Sequence, residues 1–138
     1  MSMNCKELRI GNYVKVKRTG DIVRVCAITK RKIGYHTPNE RPNAHLRYCN
    51  LQGIEGVPFL DMFPTTQNAD VFEVITERYY TCDKSVHIST TNVLKDGNLA
   101  FMDGLYFKYT HELQNYRYAR YGEELVFHDV VLQLSNNH

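Results

Sequence analysis

The chain has 138 residues, 43% of them apolar, with ten Tyr and six Phe. That is enough to bury a core without disulfide or metal staples, and too aromatic for a disordered polypeptide. The net charge of +2 hides a division: residues 1–50 hold eleven Lys and Arg against three acids, a net +8, whereas residues 51–138 hold six against twelve, a net −6.

Residues 13–17 alternate as a strand, with Val14 and Val16 on one face and Tyr13, Lys15 and Lys17 on the other. A turn at Arg18-Thr19-Gly20-Asp21 leads to a second strand over 22–29, apolar on both faces except at Arg24. Lys30-Arg31-Lys32 forms a basic turn into a third strand at 33–36. Residues 37–43, with Pro38 and Pro42, read as a loop, and 46–51 as a strand that closes a small barrel. Short strands and tight turns suit an SH3-like barrel over residues 6–51. Residues 52–70 hold two Gly and two Pro and read as a linker, with one helical turn at 59–63 whose apolar side chains must dock somewhere. Strands follow at 71–82, 86–94, 98–102 and 105–109, the last three as a meander closed by tight turns at Asp96-Gly97 and Asp103-Gly104. A helix over 110–121 and a strand over 125–134 complete the second unit, residues 71–134. The predicted fold is α+β and mainly antiparallel β: an SH3-like barrel followed by a β-meander packed by one C-terminal helix.

The helix carries its own signals. Thr110 is the expected N-cap, Glu112 sits at the positive end of the dipole, Arg117 and Arg120 lie toward the negative end, and Gly122 stands at the left-handed C-terminal position. Tyr109, Leu113, Tyr116 and Ala119 share the face expected to press on a sheet. Tyr118 lies opposite, with Arg117 and Tyr121 on the flank, and these three form a candidate protein interface, because Tyr and Arg anchor interfaces most often.

His111-Glu112-Leu113-Gln114-Asn115, followed by Gly122-Glu123-Glu124-Leu125, resembles the ending of a family of small uncharacterised proteins encoded by gut anaerobic bacteria, their phages and mobile elements. Leu8-Arg9-Ile10-Gly11-Asn12 resembles that family's opening, and Gly53 to Phe59 stands where an Ile-Pro-Leu stretch is usual. Arg117, Arg120 and Tyr121 depart from its apolar or small residues. The resemblance implies a lineage, a fold and a phage or mobile-element context, and no activity.

Catalytic and metal chemistry find little support in the spacing. Cysteines 5, 26, 49 and 82 contain no Cys-x-x-Cys and are expected as free thiols, while His45, Cys49, Cys82 and His87 are the one four-ligand zinc arrangement to weigh. His111 is expected as a polar surface or capping residue, and His128 and Asp129 point to opposite faces of a strand. Nucleotide-binding and nucleophile-elbow motifs are absent from the sequence, so no enzyme and no cofactor is expected. No stretch approaches the roughly 20 apolar residues of a membrane helix, and Lys6, Glu7 and Arg9 interrupt any apolar leader, so the expectation is a cytoplasmic protein away from membranes. The expected role is a non-enzymatic binding or accessory protein with a protein partner. The alternative is nucleic-acid binding through Tyr13, Lys15, Lys17, Arg18, Arg24, Lys30, Arg31, Lys32 and Tyr35, cations for phosphates and tyrosines for stacking.

Overall fold

The computed structural model describes residues 3–36, 45–63, 69–80 and 85–127. The first sheet contains β1 (Tyr13–Val16), β2 (Ile22–Ile28), β3 (Lys32–Tyr35), β4 (Arg47–Asn50) and β5 (Ile54–Gly56), in the order β4-β3-β2-β1-β5. The pairing of β2 with β3 shifts register between Val25 and Ala27, and such a bulge increases twist. The sheet curls into a half-barrel that fits a small barrel. Val14, Val16, Val23, Val25, Ile33 and Ile54 fill its inside. Tyr13 and Ile22 leave β1 and β2 on the other face and join a second core, which lies against the second sheet.

The second sheet contains β6 (Val71–Tyr80), β7 (Ser85–Asp96), β8 (Leu99–Met102), β9 (Leu105–Phe107) and β10 (Glu124–Val126), in the order β10-β6-β7-β8-β9. Both sheets are antiparallel throughout, so the fold is mainly antiparallel β with one α-helix, α1 (Thr110–Tyr121), among the described residues. Phe72, Val74, Val93, Met102 and Leu125 turn inward from this sheet, and Leu113 meets them from α1. Most of the expected strand over 125–134 lies outside the described residues.

The stretch expected as a linker does more than connect. Ile54–Gly56 forms β5 and pairs with β1, through Val14↔Gly56 and Val16↔Ile54. Val57, Phe59 and Met62 are fully buried, the last two in a 3₁₀ turn at Phe59–Met62. Glycine and proline made these residues look like a loop, but each large apolar side chain gains about 1.5–3 kcal/mol on burial. Gly56 is there for closeness: a Cβ at this position would come within 2.7 Å of the Tyr109 ring.

The helix spans the expected residues with a different start and a different buried face. Tyr109, not Thr110, is the N-cap, and its N–H donates to Glu112 Oε1 at 3.0 Å. The Thr110 N–H is taken by the carbonyl of Val57 at 2.8 Å, and Pro58 bridges to Tyr109, which holds Tyr109 extended. Ala119 is exposed, and the buried residues are Thr110, His111, Leu113 and Gln114. The helix therefore buries its first half, and a polar side chain lies on the buried face.

That polar side chain is Gln114, with no exposure at all. Its Nε2 donates to the carbonyls of Gly11 and Leu125, both at 3.0 Å, and its Oε1 accepts from the Tyr13 N–H at 3.0 Å. Around it, Asn12 Nδ2 donates to Asn115 Oδ1 at 2.9 Å, and Asn12 Oδ1 accepts from the Arg9 N–H at 2.7 Å. The Arg9 guanidinium grips both carboxylate oxygens of Glu124, with Nη2 at 3.0 Å from Oε1. Gly11 has φ +103°, and a Cβ there would stand 3.2 Å from the Glu124 carboxylate, so any side chain is both strained and crowded. The opening residues of the chain and the helix thus meet in one buried polar cluster.

Replacing Gln114 by Ala takes their side-chain partner from the Leu125 carbonyl and the Tyr13 N–H in the interior, and leaves the Gly11 carbonyl with Arg24 Nε alone. At about 1–3 kcal/mol for each of the two orphaned groups, urea denaturation should show a loss of about 2 kcal/mol or more. A loss within about 0.5 kcal/mol, the range of neutral surface changes, would show that the cluster does not hold the fold.

Candidate functional site

The nine residues expected to contact nucleic acid separate into groups. Tyr13 is 2% exposed; its ring meets Phe127 edge-on at 5.4 Å and its hydroxyl accepts from the Phe127 N–H at 3.1 Å. It cannot stack on a base. Arg24 lies over the Tyr13 ring and donates from Nε to the Gly11 carbonyl, which places it at the junction of the two sheets. Lys15 faces the same way as Tyr13, opposite Ile22 in the β1–β2 register. Tyr35 packs in the barrel core, 8% exposed, with one side on the cleft that Lys17 and Arg18 line.

The remaining cations do come together. The 3₁₀ turn Leu51–Gly53 joins β4 to β5 and is tied on both sides to a basic turn. Leu51 N–H donates to the Arg31 carbonyl, and Lys17 N–H to the Gly53 carbonyl, each at 2.9 Å, while Lys17 Nζ reaches the Gln52 carbonyl at 3.1 Å. A cleft of about 540 Å³ is lined by Lys30, Arg31, Asn50 and Gln52; another of about 680 Å³ is lined by Lys17, Arg18, Tyr48, Asn50 and Gln52. The shared Asn50 and Gln52 make the clefts neighbours. Lys32 sits directly across from Asn50 in the β3–β4 register. Among the described residues, Arg18, Lys30, Arg31 and Lys32 form no ion pair with an acid.

Tyr48, Asn50 and Gln52 were not expected as binding residues. Tyr48 is 57% exposed and opposes Gly34, where a Cβ would come within 3.1 Å of the tyrosine ring. A signal was present in the alternation of β4: Tyr48 and Asn50 share one face, and Cys49 between them packs toward the barrel inside.

The Tyr/Arg face of α1 is engaged by neighbouring parts of the same chain. Arg117 donates from Nε and Nη2 to Glu123 Oε1, at 2.9 and 2.6 Å, and lies 4.0 Å over the Tyr121 ring. The hydroxyls of Tyr116 and Tyr121 both donate to Asp103, and these bonds hold its carboxyl below the usual range. Arg9 covers the Tyr118 ring at 4.0 Å.

The outer face of the β6–β7 ribbon carries exposed apolar side chains. The register places Val71 beside Leu94, Glu77 beside Ile88 and Tyr79 beside Val86. All five of these apolar side chains are exposed, Ile88 to 64%. Tyr79 also lines a cleft of about 390 Å³ with Ile10, Arg24 and Cys26, so the apolar surface reaches the first sheet. Its hydroxyl donates to Glu77, and that hydrogen bond pushes its pKa up to about 12. Beyond the ladder with β8, which begins at Leu94, β7 has no strand on that side among the described residues.

His111 is buried, not at the surface as expected, and its ring stacks on Tyr109 with planes 19° apart. Of the zinc arrangement, His45 and His87 are exposed, Cys49 packs against the barrel core, and Cys82 lies outside the described residues. His128 and Asp129 lie outside them too. Among the described residues no cluster of three or more His, Cys, Asp or Glu could hold a metal, and no helix is long and apolar enough to cross a membrane.

Burial pushes His111 below its ordinary value of 6.5, with Glu112 and Glu7 pulling the other way. The unfolded chain therefore takes up this proton first as pH falls. The stability that neutral His111 contributes is present above about pH 6.5 and is lost as pH drops below it. Urea midpoints should fall between about pH 7 and pH 5.5 in the native protein, and the fall should shrink in His111→Phe. An unchanged slope in the variant would contradict this assignment.

Compared with known proteins, the chain matches no family model, no curated protein and no solved structure.

Proposed function

We propose that this is a non-enzymatic binding protein whose principal partner is another protein, docked on the outer face of the β6–β7 ribbon. The observation that carries this is the row of exposed apolar side chains, Val71, Tyr79, Val86, Ile88 and Leu94, on one sheet face. They stand in two groups on that face, Val71 with Leu94 at one end and Tyr79, Val86 and Ile88 at the other, and apolar side chains left wet carry a cost that a partner relieves. The open edge of β7 beyond the β8 ladder offers backbone groups to an extended segment of that partner. Its Ser, Thr and Val side chains include no Lys or Pro of the sort that blocks strand addition. In this proposal the first sheet is an SH3-like barrel, α1 packs the meander, and the protein acts in a phage or mobile-element context as an accessory factor. A buried, ring-stacked His111 favours a structural over a catalytic use of that side chain.

The test is a photoreactive side chain at position 88, with the same group at position 30 as control, in cells that carry the protein's natural neighbours. A defined protein cross-linked from position 88 and not from 30, and lost on Val86→Lys, is the expected result. Equal labelling from both positions, or no defined adduct from 88, would contradict the proposal. An adduct with a second copy of the chain would make the partner the protein itself.

A further inference from the structure

We infer that the two clefts beside the Leu51–Gly53 turn form one binding site for single-stranded nucleic acid. The site is distinct from the β6–β7 face and goes beyond the protein-partner proposal.

Three features converge there. The first is charge. Lys30 and Arg31 stand at one side of the turn and Lys17 and Arg18 at the other, because the backbone of the turn is bonded to both hairpins. Lys32 adds a fifth cation opposite Asn50. The curl of the sheet brings together the two ends of β2, which a flat sheet would keep apart. A chain of phosphates running from one cleft to the next meets cations at both ends.

The second feature is an aromatic platform. Tyr13 and Tyr35 are buried, but Tyr48 is exposed and lines the same cleft as Lys17 and Arg18. A base that leaves the stack can lie on this ring, and stacking of this kind tolerates every base. The third feature is polar chemistry between the cations. Asn50 and Gln52 belong to both clefts, and each side-chain amide donates and accepts, as base edges do. Cations, an open ring and amides in adjoining concave sites fit an unpaired strand. A duplex would offer phosphates to the cations and leave Tyr48 without a base.

The test is fluorescence anisotropy of the full chain with labelled oligo-dT and oligo-U, and with a duplex of equal length. At about −0.7 per phosphate contact, four contacts predict a loss of about 50-fold in affinity between 50 and 200 mM salt. Tyr48→Ala should weaken binding about ten-fold, the middle of the range for one stacked base, at every salt concentration. Lys30→Glu with Arg31→Glu should weaken it further and flatten the salt dependence, whereas Lys108→Glu, between β9 and α1, should change little. Circular dichroism melts of each variant separate lost binding from lost folding, and Tyr48 and Lys30 are exposed enough for both variants to fold. No binding at 50 mM salt overturns the inference. So does equal affinity for the duplex, indifference to Tyr48→Ala, or an equal loss from Lys108→Glu. Ile88→Lys, on the ribbon face, should leave this binding intact, so either surface can fail without the other.

Discussion

The side-chain amide of Gln114 sets the relation between the two sheets. It hangs from the helix, donates to the loop ahead of β1 and to β10, and accepts from the backbone of β1 itself. Each of these bonds is made away from water, where an unpaired polar group is costly and a paired one is specific. A helix that rotated or slid by one residue would take the amide from all three backbone groups and leave only the Gly11 carbonyl a second donor, Arg24. The arrangement is therefore held less by strength than by the lack of an equally satisfied alternative. Arg9 and Glu124 act in the same way. A part-buried ion pair adds little net stability, but it penalises every packing in which either charge is alone.

This cluster also explains part of the uneven charge along the chain. Some of the excess positive charge of the first 50 residues meets the acidic second part at Arg9–Glu124, where the sheets join. The cations around the Leu51–Gly53 turn find no such partner among the described residues. Excess charge is taken up at the junction and left available at the far end of the half-barrel. The apolar ribbon face belongs to the other sheet, so the two binding surfaces are separate, and the buried cluster fixes their geometry.

Much of the architecture was legible because local rules govern it. Alternation identified β1 and β6, an apolar run marked β2, Asp-Gly pairs located the turns of the meander, and α1 runs over the residues its C-cap and dipole charges suggested. What escaped depends on contacts distant in sequence. Nothing near Ile54 announces that it will pair with Val16, and glycine and proline nearby argue for a loop. Tyr13 looks like a surface tyrosine until Phe127, 114 positions away, closes over it. Gln114 looks like an ordinary polar helix residue, since periodicity cannot tell a solvated amide from a buried one with three backbone partners. The end motifs at Arg9–Asn12 and Gln114–Asn115 were visible as patterns, but their meeting in space was not. Of the candidate site, the cations were readable from composition; the loss of Tyr13 to the core, the burial of all but one side of Tyr35, and the place of Tyr48 in the cleft, required the fold.

This buried cluster makes the two sheets one cooperative unit. Native-state amide hydrogen exchange tests it most directly, with the N–H groups of Val14 and Val25 followed in the first sheet and those of Val74 and Val93 in the second. The slowest amides of both sheets should exchange with the same free energy and the same denaturant dependence, because one global opening exposes them all. If the first-sheet amides opened at a distinctly lower free energy while β6 and β7 stayed protected, the sheets would be separate units and the Gln114 cluster a local contact only.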